Sequence, residues 1–348
     1  MKEGLPGGQY NVLSESDLER IHAASLRILQ ECGVKCDSPA LREVYARGGV
    51  SVDHETGMVR VPADAIEWAL KTAPRSFVLY GRDPAYDLLL EQPRVYYGLG
   101  GSAEPMFWDL YQQVPRPSVL ADVVAATRVG HVLPNVDFVM SLAAANDVPA
   151  DLHYLYEYDA ILRHTSKPVI YSATDRRYAR MFLELAAAAS GGEGELRRRP
   201  SIVMFGETDS PLRFGAYIEG MLDFAEWGAP IIFSTGPMAG ATGPATMAGM
   251  LAMGNAETLA VDVIEEVGPG GHFLLHDHTA RSFRREFFFP QLFDRYGVEV
   301  WQNQGSRRVD EVARDKVRQI LAQGPWLALP ASVEAAMDEV IAGYIKKG

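Results

Sequence analysis

Pro168-Val169-Ile170-Tyr171-Ser172-Ala173, Ser201-Ile202-Val203-Met204-Phe205-Gly206-Glu207 and Pro230-Ile231-Ile232-Phe233-Ser234-Thr235 are short runs rich in β-branched and aromatic residues. Each is followed by a stretch with helical character, at 176–190, 212–227 and 245–260. Strands that alternate with helices imply a parallel sheet, because a right-handed crossover returns the chain to the same end of the sheet. Outward from these runs, strands at 94–99 and 136–142 alternate with helices at 120–133 and 150–164. The whole makes five βα units between residues 76 and 260.

Two architectures fit: a doubly wound open sheet and a (β/α)8 barrel. A barrel needs eight units over typically ~250 residues, so this α/β chain has an incomplete set for one. Residues 1–75 read as a helical cap. There Ser14 and Asp17 have capping-box spacing, Leu18, Ile21, Ile28 and Leu29 share a helical face, and Gly33 ends the helix. Further helices are expected at 39–46 and 63–72, with a short strand at 57–61. The acidic-then-basic run 191–199 reads as a solvated loop. Residues 261–348 return to a helical pattern, with Phe287-Phe288-Phe289-Pro290 followed by helices at 309–323 and 332–345. The expected organisation is therefore 1–75, 76–260 and 261–348.

The 348 residues are 47% hydrophobic and 22% charged, with 33 basic against 45 acidic residues and a net charge of −12. A nucleic-acid binder needs a basic face, so that class is set aside. There is no apolar run long enough to span a bilayer and no apolar segment in the first ten residues, so a cytoplasmic protein is expected. Cys32 and Cys36 are too few for a disulfide framework and lack further ligands nearby; they read as buried thiols.

Gly98-Leu99-Gly100-Gly101-Ser102-Ala103 resembles a dinucleotide fingerprint, but Glu104-Pro105 follows where a helix would have to begin, so a glycine-rich strand-end loop is the better reading. His272, His276 and His278 follow a rigid Gly268-Pro269-Gly270-Gly271 turn and read as a hydrogen-bonding cluster rather than a metal site. No serine nucleophile elbow exists. Lys167 stands at the amino end of a strand, the wrong end for barrel chemistry.

In parallel α/β folds function collects at the carboxyl ends of strands. Those ends carry Ser102 and Glu104, Asn146 and Asp147, Ser172 and Asp175, Glu207 and Asp209, and Thr235. Phe205 and Glu207 share one face of their strand, and Tyr171 and Asp175 share one on the strand before. With Trp108 and Phe233 they suggest aromatic faces beside carboxylates, a setting for a cationic ligand and above all a quaternary ammonium group. The candidate pocket residues are Glu104, Trp108, Tyr171, Phe205 and Glu207, with no catalytic residue assigned.

Several stretches, taken in order, resemble the trimethylamine methyltransferase family, whose non-pyrrolysine members act on quaternary amines such as glycine betaine. They are Ile28-Leu29 with Cys32-Gly33-Val34, Thr72-Ala73-Pro74-Arg75-Ser76-Phe77 and Tyr80-Gly81-Arg82-Asp83-Pro84. Leu133-Pro134-Asn135-Val136-Asp137-Phe138 and Thr165-Ser166-Lys167-Pro168 follow. The most specific is Gly236-Pro237-Met238-Ala239-Gly240-Ala241-Thr242-Gly243-Pro244 with Asn255-Ala256-Glu257, and Glu266-Val267-Gly268-Pro269-Gly270-Gly271-His272 resembles the family's C-terminal signature.

The resemblance implies a (β/α)8 (TIM) barrel, a methylated amine as donor, and a separate corrinoid (cobalamin) protein as methyl acceptor, with no cofactor held by this chain directly. It also implies that about three βα units are missing between Ala260 and Val261, roughly 100 residues. The missing part includes the region of the family's pyrrolysine, so no residue here matches it. An open barrel leaves unpaired edges, so a homo-oligomer is expected. A catalytically inactive remnant that binds a betaine or the corrinoid protein is the alternative to an active methyltransferase.

Overall fold

The computed structural model describes residues 2, 4–7, 12–100, 105–109, 111–172, 175–267, 307–323 and 327–347. At its centre are five parallel strands: β1 (Gly98–Leu99), β2 (Phe138–Val139), β3 (Val169–Ser172), β4 (Ile202–Glu207) and β5 (Ile231–Ser234). Their spatial order follows the chain without reversal, β1-β2-β3-β4-β5. A doubly wound sheet reverses its order partway along, so that alternative is removed. Among the described residues β1 and β5 do not pair, and the sheet is open.

The two faces of the sheet are packed differently. Val169, Tyr171, Ile202, Met204 and Ile231 join one buried cluster with residues of the surrounding helices, among them Val123, Ile161, Phe182 and Phe224. Ile170, Val203, Phe205 and Ile232 join a second cluster, with Leu79 and Leu88. These leucines belong to the hairpin Ser76–Leu79 with Leu88–Glu91. The hairpin meets the amino ends of the strands, where the Tyr80 and Arg82 amides donate to the Pro200 and Ser166 carbonyls at 3.3 and 2.9 Å. One face is thus covered by helices, and the other is a cup closed at its amino end.

Helices α1 (Glu15–Arg27), α2 (Pro39–Arg47) and α3 (Ala63–Thr72) make up the amino-terminal cap. The capping box between Ser14 and Asp17 forms, and α1 runs on through a π turn to Gly33. Gly33 has φ 77°, and a Cβ there would run into the Val59 carbonyl oxygen. Left-handed backbone disfavours any side chain, and this one would meet immobile backbone. Gly33→Ala is expected to cost about 1–3 kcal/mol, measured by denaturant unfolding.

The cap is more than helical. Val34–Cys36, Met58–Arg60 and Ser51–Asp53 form a sheet that Arg213–Phe214 joins beside Val34–Cys36. The helix expected over 212–227 accordingly begins only at residue 220, because Pro211 and Gly215 bracket that added strand. The thiols also differ from expectation: Cys36 is buried, which raises its pKa to about 11, whereas Cys32 is exposed.

Helices α4 (Leu120–Val132), α5 (His153–His164) and α6 (Arg176–Ser190) follow β1, β2 and β3. The short α7 (Glu193–Arg198) precedes β4, α8 (Gly220–Trp227) follows it, and α9 (Met247–Val267) follows β5. Helix α9 runs unbroken across residues 260 and 261 and is buried there, its Ala260 carbonyl accepting from the Tyr45 hydroxyl at 2.8 Å. Helices α10 (Val309–Ala322) and α11 (Ala331–Lys347) pack on α4 and α6 respectively. Met337 shares the main core with Leu29 and Val169, so one cluster joins all three stretches of chain. No helix among the described residues is long and apolar enough to cross a membrane.

At the amino end, buried cations cap helix C-termini, where exposed carbonyls favour positive charge. Lys167 Nζ donates to the Gly130, Leu133 and Val136 carbonyls at 2.8, 2.9 and 2.6 Å, and burial pulls its pKa down to about 8. Arg82 donates to the Leu162, Thr165 and Ala189 carbonyls. His164 nearby is pushed down to about 4 by burial and by Arg128 and Arg163. A histidine lowered in the folded state loses stability as pH falls, because the unfolded chain takes up its proton first. The unfolding free energy is expected to fall from pH 6.5 toward pH 4, and to fall less steeply in His164→Gln, followed by urea titrations across that range.

Candidate functional site

Period-two alternation and the sheet register together decide what lines the cup. Ser172, Phe205 and Ile232 are level across β3, β4 and β5, and Glu207 is level with Ser234 one step higher. In-register residues of parallel neighbours point the same way. From the hairpin floor upward the cup wall therefore carries Ile170 and Val203, then Ser172, Phe205 and Ile232, then Glu207 and Ser234. Phe205 is half-buried and Glu207 exposed, so an aromatic face lies one layer beneath a carboxylate at the open, carboxyl end.

The candidate residues separate on this frame. Phe205 and Glu207 are brought together on the cup wall. Tyr171 is in register with Met204 and faces the helices, where its ring stacks on Phe182 at 4.6 Å and meets Tyr158 edge-on at 4.8 Å. It is buried, and its hydroxyl has no hydrogen-bond partner among the described residues. Tyr171 thus stands on the opposite side of the sheet from Phe205. Trp108 lies on the hairpin Met106–Trp108 with Pro115–Pro117, in the connection after β1, and is 55% exposed. Glu104, Ser102 and the histidines 272, 276 and 278 lie outside the described residues.

Two buried glutamates that the strand-end reading passed over shape the rim. Glu257 of α9 accepts from Thr208 Oγ1 at 2.9 Å, Ser210 Oγ at 3.0 Å and the Leu212 amide at 2.7 Å. It holds the turn that begins directly after Glu207. Glu157 of α5 does the same after β2, accepting from the Ala145 amide at 2.9 Å and Ser141 Oγ at 3.4 Å. Burial raises the Glu157 pKa, and those hydrogen bonds oppose the shift. The legible signal was a carboxylate on an otherwise apolar helix face, as with Glu157 between Tyr154 and Ile161.

The remaining rim is tied down by ion pairs. Arg116 is bidentate to Asp122 at 2.6 and 2.8 Å and reaches Asp109 at 2.9 Å, fixing the Trp108 hairpin to the start of α4. Those contacts hold the Asp109 carboxyl near 2, the Gln112 amide being the largest cause and Arg116 the next. The buried Asp223 on α8 receives Arg176 and Arg180 from α6. Among the described residues no group of three or more His, Cys, Asp or Glu could hold a metal ion. The rim is a fixed frame around a mouth at which the Phe205 ring, the Glu207 carboxylate and the Ser172 and Ser234 hydroxyls stand on neighbouring strands.

The family model described as trimethylamine methyltransferase matches the chain in two segments, residues 5–261 and 257–347. The segments meet within α9, where the join between Ala260 and Val261 was placed. A trimethylamine methyltransferase of Desulfitobacterium hafniense is 30% identical over 264 residues, 76% of this chain and 53% of that protein. A glycine betaine methyltransferase of the same species is 27% identical over 280 residues, 80% and 58%. A trimethylamine methyltransferase of Methanosarcina thermophila is 27% identical over 289 residues, 80% and 59%. The chain spans a little over half the length of these curated relatives.

Proposed function

The chain belongs to the trimethylamine methyltransferase family, and from that premise we propose that it transfers a methyl group from a tertiary or quaternary methylated amine, such as trimethylamine or glycine betaine, to the corrinoid of a separate protein. The observation that carries the reading is the Phe205 face beneath Glu207 at the carboxyl end of a singly wound parallel sheet. We read that sheet as the first five units of a (β/α)8 barrel, since sequential order with all the helices on one face is how a barrel winds.

The acceptor is a second substrate, and its reduced cobalt supplies the nucleophile. What this chain contributes is position. A quaternary nitrogen, or that of trimethylamine in its protonated form, is cationic in the ground state and leaves as a neutral amine once the methyl is transferred, so no proton donor is required at the transfer step. A carboxylate against that nitrogen stabilises the ground state more than the transition state. Glu207 is therefore a positioning residue that draws the cation to the mouth. The Phe205 ring holds the methyl groups by cation–π attraction, which needs no hydrogen bond from the ligand. Ser172 and Ser234 offer hydroxyls at the same levels to any polar end of the substrate. The turn held by Glu257 keeps Glu207 in place.

The shortened length favours a second reading, a module that binds the amine or the corrinoid protein without turnover. The two are separated by offering trimethylamine and glycine betaine with cob(I)alamin and following the cobalt spectrum, alongside calorimetric titration of each amine. Methyl transfer supports the first reading. Binding without transfer supports the second. Neither amine binding nor transfer overturns the first reading and the amine-binding module.

A further inference from the structure

Between Glu226 and Glu257 the chain has no Asp, Glu, Lys, Arg or His, although 22% of its residues are charged. The stretch comprises β5, the loop after it and the first half of α9. It is also a boundary of the sheet: among the described residues β5 pairs only with β4. The Met204 and Thr208 amides donate to the Pro230 and Ser234 carbonyls at 3.0 and 3.3 Å, so the even-numbered positions of β5 face β4. The backbone groups of Ile231 and Phe233 then point to the open side. In the loop after β5 and the first half of α9, Met238, Met247 and Leu251 are 61%, 76% and 40% exposed. Edge strands are normally protected by charges that block further pairing; this one has none.

We infer that the β5 edge and the Met238, Met247 and Leu251 patch form an interface between two copies of this chain, their β5 strands pairing antiparallel across a two-fold axis. Charge selects a second copy over another partner. Each copy carries a net −12, so two copies repel unless the touching faces are uncharged. Near a two-fold axis a side chain faces its own counterpart, and any charge there meets its like. A different partner would be recognised through complementary charges, which this surface does not offer. Methionine side chains adapt their shape to such a contact. The inference does not rest on the methyl-transfer reading.

Sedimentation of the full chain over a range of concentrations tests it, with a species of twice 38.3 kDa expected. Met247→Asp combined with Leu251→Asp is expected to weaken self-association about 100-fold with unchanged circular dichroism, because like charges then face each other. Trp68→Asp, on the exposed side of α3, leaves association unchanged. Hydrogen exchange at the Ile231 and Phe233 amides is slow in the dimer and fast in the double variant. If the double variant loses its fold, Met247→Asp alone makes the same test at a side chain that is mostly exposed. A monomer at every concentration overturns the inference, as does a dimer that survives the charged variants. So does slow exchange of those two amides in a monomer, since the edge would then be covered by the chain itself.

Discussion

Replacing Glu257 by alanine is expected to lower the unfolding free energy by about 3 kcal/mol, at roughly 1 kcal/mol for each of the three donors stranded. Thr208 Oγ1, Ser210 Oγ and the Leu212 amide all converge on this one side chain, which is fully buried. Truncation removes the acceptor that all three share. The two hydroxyls can turn to accept a hydrogen bond, but the Leu212 amide can only donate. Glu257→Gln should therefore cost far less, about 1 kcal/mol, because its carbonyl oxygen can still serve the amide while its NH2 donates to the hydroxyls. Denaturant unfolding of both variants measures the difference. Equal losses would show that the charge matters rather than the hydrogen-bond count. In the alanine variant amine binding should weaken as well, since the freed turn begins at Thr208, next to Glu207.

Phe205→Leu is expected to weaken binding of a quaternary amine about tenfold, the scale of one lost cation–π contact of 1–2 kcal/mol. Stability should change by less than about 1 kcal/mol, because leucine refills a half-buried position against Ile232 and Met140. Calorimetry with the amine and with its uncharged tert-butyl isostere separates the two contributions. Affinity for the cation should drop while affinity for the isostere holds. Unchanged affinity for the cation would remove Phe205 from the binding site. Tyr171→Leu makes the contrasting case: its ring stacks among Tyr158, Phe182 and Phe224 on the helix side, so the substitution should cost stability and leave amine binding alone.

Much of the fold was legible because local rules and the global structure agree. The Ser14 capping box, the Gly33 stop, and helices at 63–72 and 176–190 stand where capping and periodicity put them. Four of the five expected strands are parallel strands trimmed at their ends, whereas the run 94–99 is split: Gly98–Leu99 joins the parallel sheet and Arg94–Val95 pairs antiparallel with Leu5–Pro6. The helix expected from 212 went astray because a two-residue strand, Arg213–Phe214, is made by its partner Val34–Cys36 in the distant cap, not by its own propensity.

The sequence by itself determined the parallel α/β class, the unit count, and the placing of Phe205 and Glu207 on one face of one strand, because strand alternation is a local property of the backbone. Only the tertiary structure decided which face looks into the cup. In a parallel sheet covered on both sides the strands are apolar throughout, so alternation sorts residues into two sets without saying which set meets the helices. That is why Tyr171 and Phe205, one residue apart in register, stand on opposite sides. Likewise the partners of Glu257 lie more than forty residues away in the chain, and a contact of that separation exists only once α9 has packed against the turn after β4.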